Sequence, residues 1–267
     1  MKRIGNVLKE LPIRPPAETP SGSIVLSNRD TVKCPICQDA GYLRGDFPVG
    51  HPMFGEITTC VCKEQEIRQA NLESLHRLSN LSSLAHLTFD TFDRDVPGVE
   101  DAFGKAFEYA QNPSQHWLFL QGPVGVGKTH LAAAVANHAI SYQKVSTYFD
   151  EVPDLLDHLR ATFDPNSGTG YDERFQLIRD AGLLVLDDLG TENATPWARE
   201  KLYQVINHRY MEQLPTVITS NVDHKKVEDR ILSRILDYRL TQYVEIDAED
   251  FRRPGDPRLM RRTNRRG

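Results

Sequence analysis

The sequence predicts a three-layer α/β/α domain on a parallel five-stranded sheet, preceded by a small cysteine-bounded module. Three observations predict it. From Phe89 onward, short apolar runs alternate with amphipathic stretches, the pattern of strands joined by crossover helices and covered on both faces. A glycine-rich run, GPVGVGKT at 122–129, stands between one such strand (WLFLQ) and one such helix (HLAAAVANHA). All four cysteines fall between positions 34 and 62.

Composition sets the outer limits. The 267 residues are 39% hydrophobic and 26% charged, ordinary for a globular chain long enough for one full α/β domain and an appendage. No run approaches the roughly 18 apolar residues of a membrane span, and MKRIGNVLKELPIRPP lacks the apolar core of a secretory signal. A cytoplasmic protein without membrane partners is expected. The formal net charge of -5 argues against a wholly basic nucleic-acid coat, yet residues 252–267 hold seven arginines and one acid. Such a tail reads equally as a polyanion-seeking segment or a solvated end.

Taken in order, residues 1–33 are rich in Pro and Ser without a sustained period and read as a flexible leader. Residues 34–62 form the cysteine module. Cys34-x2-Cys37, 22 intervening residues and Cys60-x-Cys62 favour thiolate coordination of zinc over disulfides in a cytosolic chain. Four sulfurs closing a tetrahedron would replace the core that so short a segment cannot supply. The CxC half is less usual than CxxC, which leaves His51 open as an alternative ligand. Residues 63–88 read as a helical linker with Ile67, Leu72, Leu75 and Leu78 on its apolar side, breaking near Asn80 because a strict spacing of three drifts around a helix.

Residues 89–251 carry the main domain. Strands are expected at Trp117–Gln121, Val145–Phe149, Leu183–Asp187, Thr216–Ser220 and Tyr243–Ile246, and helices at 99–111, 128–142, 153–163, 172–180 and 197–212. The segment Asp164–Gly170 reads as a loop. Residues 252–267 are the basic tail.

The chemistry concentrates at strand ends. Glycines 122, 125 and 127 let the backbone curl around a phosphate, with N–H groups and a helix N-terminus facing the anion. The nucleotide-contacting set is Gly122, Pro123, Val124, Gly125, Val126, Gly127, Lys128, Thr129 and His130. Lys128 can reach the β- and γ-phosphates of ATP, and the Thr129 hydroxyl can ligate Mg²⁺. LLVLDDLG delivers Asp187 and Asp188 to the end of a buried strand, the first to hold Mg²⁺ and the second to orient or deprotonate the attacking water. TVITSN could aim Asn221 at the γ-phosphate, although Ser-Asn is also a common turn opening. Arg234, on a short helix within DRILSRILDYR, is either a surface arginine paired to an acid such as Asp237 or a group that projects to a neighbouring subunit's phosphate.

In this order, WLFLQGPVGVGKTHLAAAVANH, LLVLDDLGTE, NHRY, LPTVITSN and the SR of RILSRIL resemble the AAA+ ATPases, within them the DnaC/DnaI-like helicase loaders and IstB-like transposition helpers. The resemblance covers roughly residues 89–253. It implies a P-loop NTPase sheet ordered 5-1-4-3-2, a sensor role for Asn221, an arginine finger at Arg234 and a sensor-2-like arginine at Arg252. A finger acting in trans implies a homo-oligomer, a spiral or ring. The zinc module ahead of the ATPase resembles the DnaI-type and phage-type loaders, so the leading expectation is ATP-driven assembly on single-stranded DNA and loading of a replicative helicase. Phe163, Tyr171, Arg174 and Phe175 are candidate single-strand contacts, although core packing explains these aromatics at least as well. The alternatives are a transposition helper acting on duplex DNA and a nucleotide-regulated adaptor with little turnover.

Overall fold

The computed structural model describes residues 32–45, 48–52, 54–113, 116–161, 170–190, 195–221 and 227–252. Most of the expected leader, Phe163 with most of its loop, and the tail beyond Arg252 lie outside them. The chain divides into two units, Met1–Glu64 and Gln65–Gly267.

In the first unit, β1 (Tyr42–Arg44) pairs antiparallel with β2 (Ile57–Thr59). Before β1 the chain turns through Gln38 and Asp39, both at positive φ; Asp39 tolerates this because a short polar side chain can bond locally. The Asp39 carboxylate does so, accepting from the Cys34 and Lys33 N–H groups at 2.8 and 3.1 Å. The buried side chains of this unit are Cys34, Cys37 and Cys60, with Leu43 and Cys62 packed against them.

Helix α1 (Val61–Leu78) starts inside the cysteine segment and stops where the leucine spacing predicts a break. Ser79 ends it. The hydroxyl of Ser79 donates to the Phe149 carbonyl, accepts from the Phe149 N–H, and caps the 3₁₀ turn Asn80–Leu84 by accepting from Leu81 N–H. These bonds fasten the turn to an edge strand and blunt that edge.

The main sheet holds β3 (Trp117–Gln121), β4 (Thr147–Glu151), β5 (Leu183–Asp187), β6 (Thr216–Ser220) and β7 (Thr241–Glu245), ordered β4-β5-β6-β3-β7 with every pairing parallel. Counted within the sheet and read from the β7 edge, this is 5-1-4-3-2. Alternation along β5 builds both cores. Leu184 and Leu186 enter one hydrophobic cluster, Leu183 and Val185 the other, and no residue of the strand is exposed.

Helices α2 (Glu100–Gln111), α3 (Lys128–His138), α4 (Val152–Ala161), α5 (Gly170–Arg179), α6 (Pro196–Met211) and α7 (Asp229–Ile235) complete the layers. Helix α3 is lined with alanines because it is covered on several sides; Ala132 through Ala136 are all buried, Val135 among them. The continuous helix expected over 128–142 ends instead in a π turn, Ala139–Gln143. Val145 N–H donates to the Ala139 carbonyl and closes that turn, so β4 begins at Thr147 rather than at Val145.

One buried cation ties the layers together. Arg209 of α6 is fully buried and donates to the carbonyls of Arg179, Ala181 and Pro215 and to Thr216 Oγ1. No carboxylate neutralises it among these partners. Replacing Arg209 with alanine leaves carbonyls unsatisfied and opens a void, and should destabilise the domain by about 3 kcal/mol or more. A thermal melt should show a drop of several degrees; an unchanged midpoint would contradict this account.

Candidate functional site

A cleft of about 610 Å³ opens at the carboxyl ends of β3, β5 and β6, where parallel sheets place ligands. Its floor is the 122–129 loop. Gly125 and Gly127 hold φ values of 84° and 94°, which disfavour any residue with a Cβ. Space forbids one as well: a Cβ on Gly125 would come within 1.7 Å of Asp250 Oδ1, and on Gly127 within 2.8 Å of Phe92 Cε2. The loop therefore stays bare, and α3 begins at Lys128 with its first N–H groups at the cleft.

Lys128 is buried, and its Nζ donates to the carbonyls of Gly122 and Pro123 at 2.9 and 2.7 Å. Burial pulls its pKa below the usual lysine range, and the charges of Asp188 and Asp187 work against that pull. Thr129, Asp187, Asp188 and Asn221 are brought into one hydrogen-bonded chain. Thr129 Oγ1 donates to Asp187 Oδ2 at 2.8 Å, and Thr219 Oγ1 donates to Asp187 Oδ1 at 2.6 Å. Asp188 N–H donates to Thr219 Oγ1 at 2.9 Å, and Asn221 Nδ2 donates to Asp188 Oδ1 at 2.7 Å. Burial raises the Asp187 pKa, partly offset by the two threonine hydroxyls. Asp188 sits at φ 59°, a left-handed conformation for a residue with a side chain. Strain of this kind persists where surrounding bonds over-determine it, here the Thr219 and Asn221 contacts.

His130 lines the same cleft but faces sideways, its Nε2 at 2.9 Å from the Thr88 carbonyl and its ring edge-on to Phe92 at 5.1 Å. Arg252 stands at the lip, exposed, and its charge bears on Lys128. The chain reaches it through a strap. Phe251 N–H donates to the Gly125 carbonyl at 3.1 Å, and Arg252 N–H donates to Asp250 Oδ1 at 2.9 Å. Arg234 is not among the cleft residues; it lies on α7 against α6. The surface pairing with Asp237 considered for it does not occur, since Asp237 is held by Arg239 and by the Tyr210 hydroxyl, both at 2.7 Å.

The four cysteine sulfurs lie within 4.8 Å of one another, with Cys34 and Cys60 at 3.8 Å and Cys37 and Cys62 at 3.3 Å. Backbone N–H groups of Cys37 and Ile36 draw the Cys34 thiol down to about 7. Four convergent thiols at this separation make a possible metal site with the donor set and closure of structural zinc. His51 is exposed and outside the cluster, so the CxC half needs no histidine to complete four ligands.

Of the candidate single-strand contacts, Phe175 is buried in the core beneath the Lys201 ammonium, which removes its face from any base. Its i+3 neighbour Ile178 shares that buried side of α5. Arg174 is exposed; the side chain of Tyr171, like Phe163, lies outside the described residues. Among the residues at the cleft that were not singled out in the sequence are Phe92, Thr219 and Asp250. Thr219 had a signal, being two residues before Asn221 and so on the same face of a strand. Phe92 and Asp250 had none, since only the fold carries their segments over the loop.

A family model described as IstB-like ATP binding protein matches residues 58–254. The chain belongs to the IstB-like ATP-binding proteins. ATP binding goes with that family, and the bare glycine loop, the buried lysine and the helix N-terminus suit phosphates. Within this family, the chain is similar to the replicative helicase loader DnaI of Bacillus subtilis (strain 168), 29% identical over 51% of this chain and 48% of that one. It is similar also to the replicative helicase loader DnaC of Escherichia coli (strain K12), 27% identical over 56% of this chain and 61% of that one. The match spans about half to three fifths of these relatives' length. Among solved structures, the DnaC helicase loader superposes with a TM-score of 0.54 at 25% identity, covering 61% of this chain and 97% of that one. DnaI superposes with a TM-score of 0.52 at 26% identity, covering 62% and 94%. The fold is that of the AAA+ ATPases. No helix among the described residues is long and apolar enough to cross a membrane.

Proposed function

We propose that this chain is an ATP-dependent helicase loader that hydrolyses ATP, assembles as a spiral or ring on single-stranded DNA and delivers a replicative helicase. The observation that carries hydrolysis is the unbroken hydrogen-bonded chain from Thr129 through Asp187, Thr219 and Asp188 to Asn221. In this reading Lys128 and the loop N–H groups hold the phosphates, and Asp188 accepts the proton of the attacking water while Asn221 keeps its carboxylate aimed. Asp187 and Thr129 would hold Mg²⁺, which supplies charge neutralisation at the β- and γ-phosphates. Arg252 adds a second cation from the strap. Arg234 lies outside the lining of its own cleft and would serve the γ-phosphate of a neighbouring copy.

The loader reading is supported by the relatives whose names describe that task and by the cysteine cluster, which Cys34, Cys37, Cys60 and Cys62 would complete as a zinc site. A metal-stapled module ahead of the ATPase gives a surface for a protein partner such as the helicase. The test is ATP turnover measured alone, with single-stranded DNA and with the replicative helicase. Stimulation by either, and co-purification with the helicase rather than with a transposase, is the expected result. Turnover that responds to neither would remove the loader reading and leave an ATP-binding adaptor.

A further inference from the structure

The run NHRY, residues 207–210, belongs to the set of motifs shared with the AAA+ relatives, yet hydrolysis as described uses none of its side chains. Its place on α6 gives it a task. Tyr203, Asn207 and Tyr210 are spaced i, i+4 and i+7, which puts them on one helix face. Helix α7 lays Arg234 across that face. Arg234 Nε donates to Asn207 Oδ1 at 2.9 Å, one terminal nitrogen to the Arg230 carbonyl at 2.6 Å, and the other to the Tyr203 hydroxyl at 3.1 Å. The guanidinium carbon lies 4.9 Å from the Tyr203 ring centre and 5.8 Å from that of Tyr210.

The choice of partners is informative. A guanidinium has five N–H groups, and these bonds engage three of them, one on each nitrogen. One N–H on each terminal nitrogen is left for an incoming acceptor. Every acceptor is neutral: an amide, a carbonyl and a phenol. Among the described residues no carboxylate pairs with Arg234, while its neighbours Arg230 and Arg239 are paired to Glu228 and Asp237. A carboxylate would orient the side chain and cancel its charge. Neutral acceptors orient it and leave the charge for an incoming anion.

We infer that Asn207 and Tyr203 are positioning residues that hold Arg234 pre-aimed at the γ-phosphate bound by a second copy of this chain. The inference rests on the proposed trans role of Arg234. Pre-orientation matters because a displaced catalytic cation costs far more in rate than in binding; a shift of about 1 Å can cost on the order of a hundredfold. The loss should fall on kcat, with KM for ATP unchanged, since the finger meets the transition state rather than the bound nucleotide.

Mixed full-length chains test this. An acceptor carrying Arg234→Ala keeps its own cleft, and a donor carrying Lys128→Ala keeps its finger; together they should recover turnover that neither has alone. Adding Asn207→Ala to the donor should cut the recovered kcat about tenfold or more, and Tyr203→Phe, which keeps the ring and loses the hydroxyl, should cut it less. Moving Asn207→Ala to the acceptor, whose finger is already removed, should cause no further loss. Equal losses in both placements would mean that Asn207 serves only the fold and would overturn the inference, as would full recovery with the altered donor. No recovery with the simple Lys128→Ala donor would instead take down the trans reading of Arg234 itself, and the inference with it.

Discussion

Replacing Lys128 with alanine should lower ATP turnover by at least about a hundredfold, the usual cost of removing a charged group that stabilises a transition state. The expectation follows from where the ammonium sits. It is buried beneath the loop, and its partners are the Gly122 and Pro123 carbonyls rather than an acid, so its charge is not consumed by an ion pair. Asp187 and Asp188 stand near enough to oppose the desolvation that lowers its pKa. Removing the ammonium leaves those two carboxylates and the triphosphate with one cation fewer, which weakens both nucleotide binding and transition-state stabilisation. Steady-state turnover and titration with a fluorescent ATP analogue separate the two effects. Without nucleotide the variant should melt within a few degrees of the parent chain. Turnover within a factor of a few of the parent would refute the assignment of this cleft as the hydrolytic site.

Stripping metal from the cysteine module should produce an effect as large, but confined to Met1–Glu64. Residues 32–64 contribute two three-residue strands and a core consisting of cysteines and one leucine, far too little apolar area to fold unaided. Zinc at four thiolates contributes about 10–16 kcal/mol in modules of this kind, which is the whole of their folding free energy. The purified chain should therefore carry one zinc per molecule. A strong chelator, or Cys37→Ser with Cys62→Ser, should render this unit sensitive to protease. The melting of Gln65–Gly267, whose cores lie on the two faces of the five-stranded sheet, should be retained. Helicase binding should fall with the metal, while basal ATP turnover persists. A chain that lacks stoichiometric zinc yet resists proteolysis in this unit would contradict the proposal.

Much of this molecule was legible before its fold. Three strands, Trp117–Gln121, Leu183–Asp187 and Thr216–Ser220, carry the bounds read from their sequence, because a strand buried on both faces admits chiefly apolar residues and hydroxyls that find partners, and these stand out from the flanking turns. The two edge strands moved: β4 shifted by two residues because Val145 closes the turn after α3, and β7 starts two residues earlier and ends one earlier than expected because an edge tolerates mixed residues such as Gln242 and Tyr243. The glycine loop was readable for a different reason. Its conformation is dictated locally, by positive φ and the need to keep Cβ atoms out of the way, so its spacing in sequence is its geometry in space.

The rest depended on contacts between distant segments. Asp187 and Asp188 could be placed at a strand end, but not their hydrogen bonds with Thr219 and Asn221, which lie more than thirty residues further on. Arg234 could be read as paired to an acid such as Asp237 or as projecting to a neighbouring subunit's phosphate; the fold removed the first by giving Asp237 to Arg239 and Arg234 to Asn207. By itself the sequence determined most of the elements, the bare glycine loop and the clustered thiols, because period, turn chemistry and cysteine spacing act within a few residues. Only the tertiary structure decided which side chains share a hydrogen bond and which cation keeps its charge, because strand adjacency and helix packing follow from burial across the whole domain.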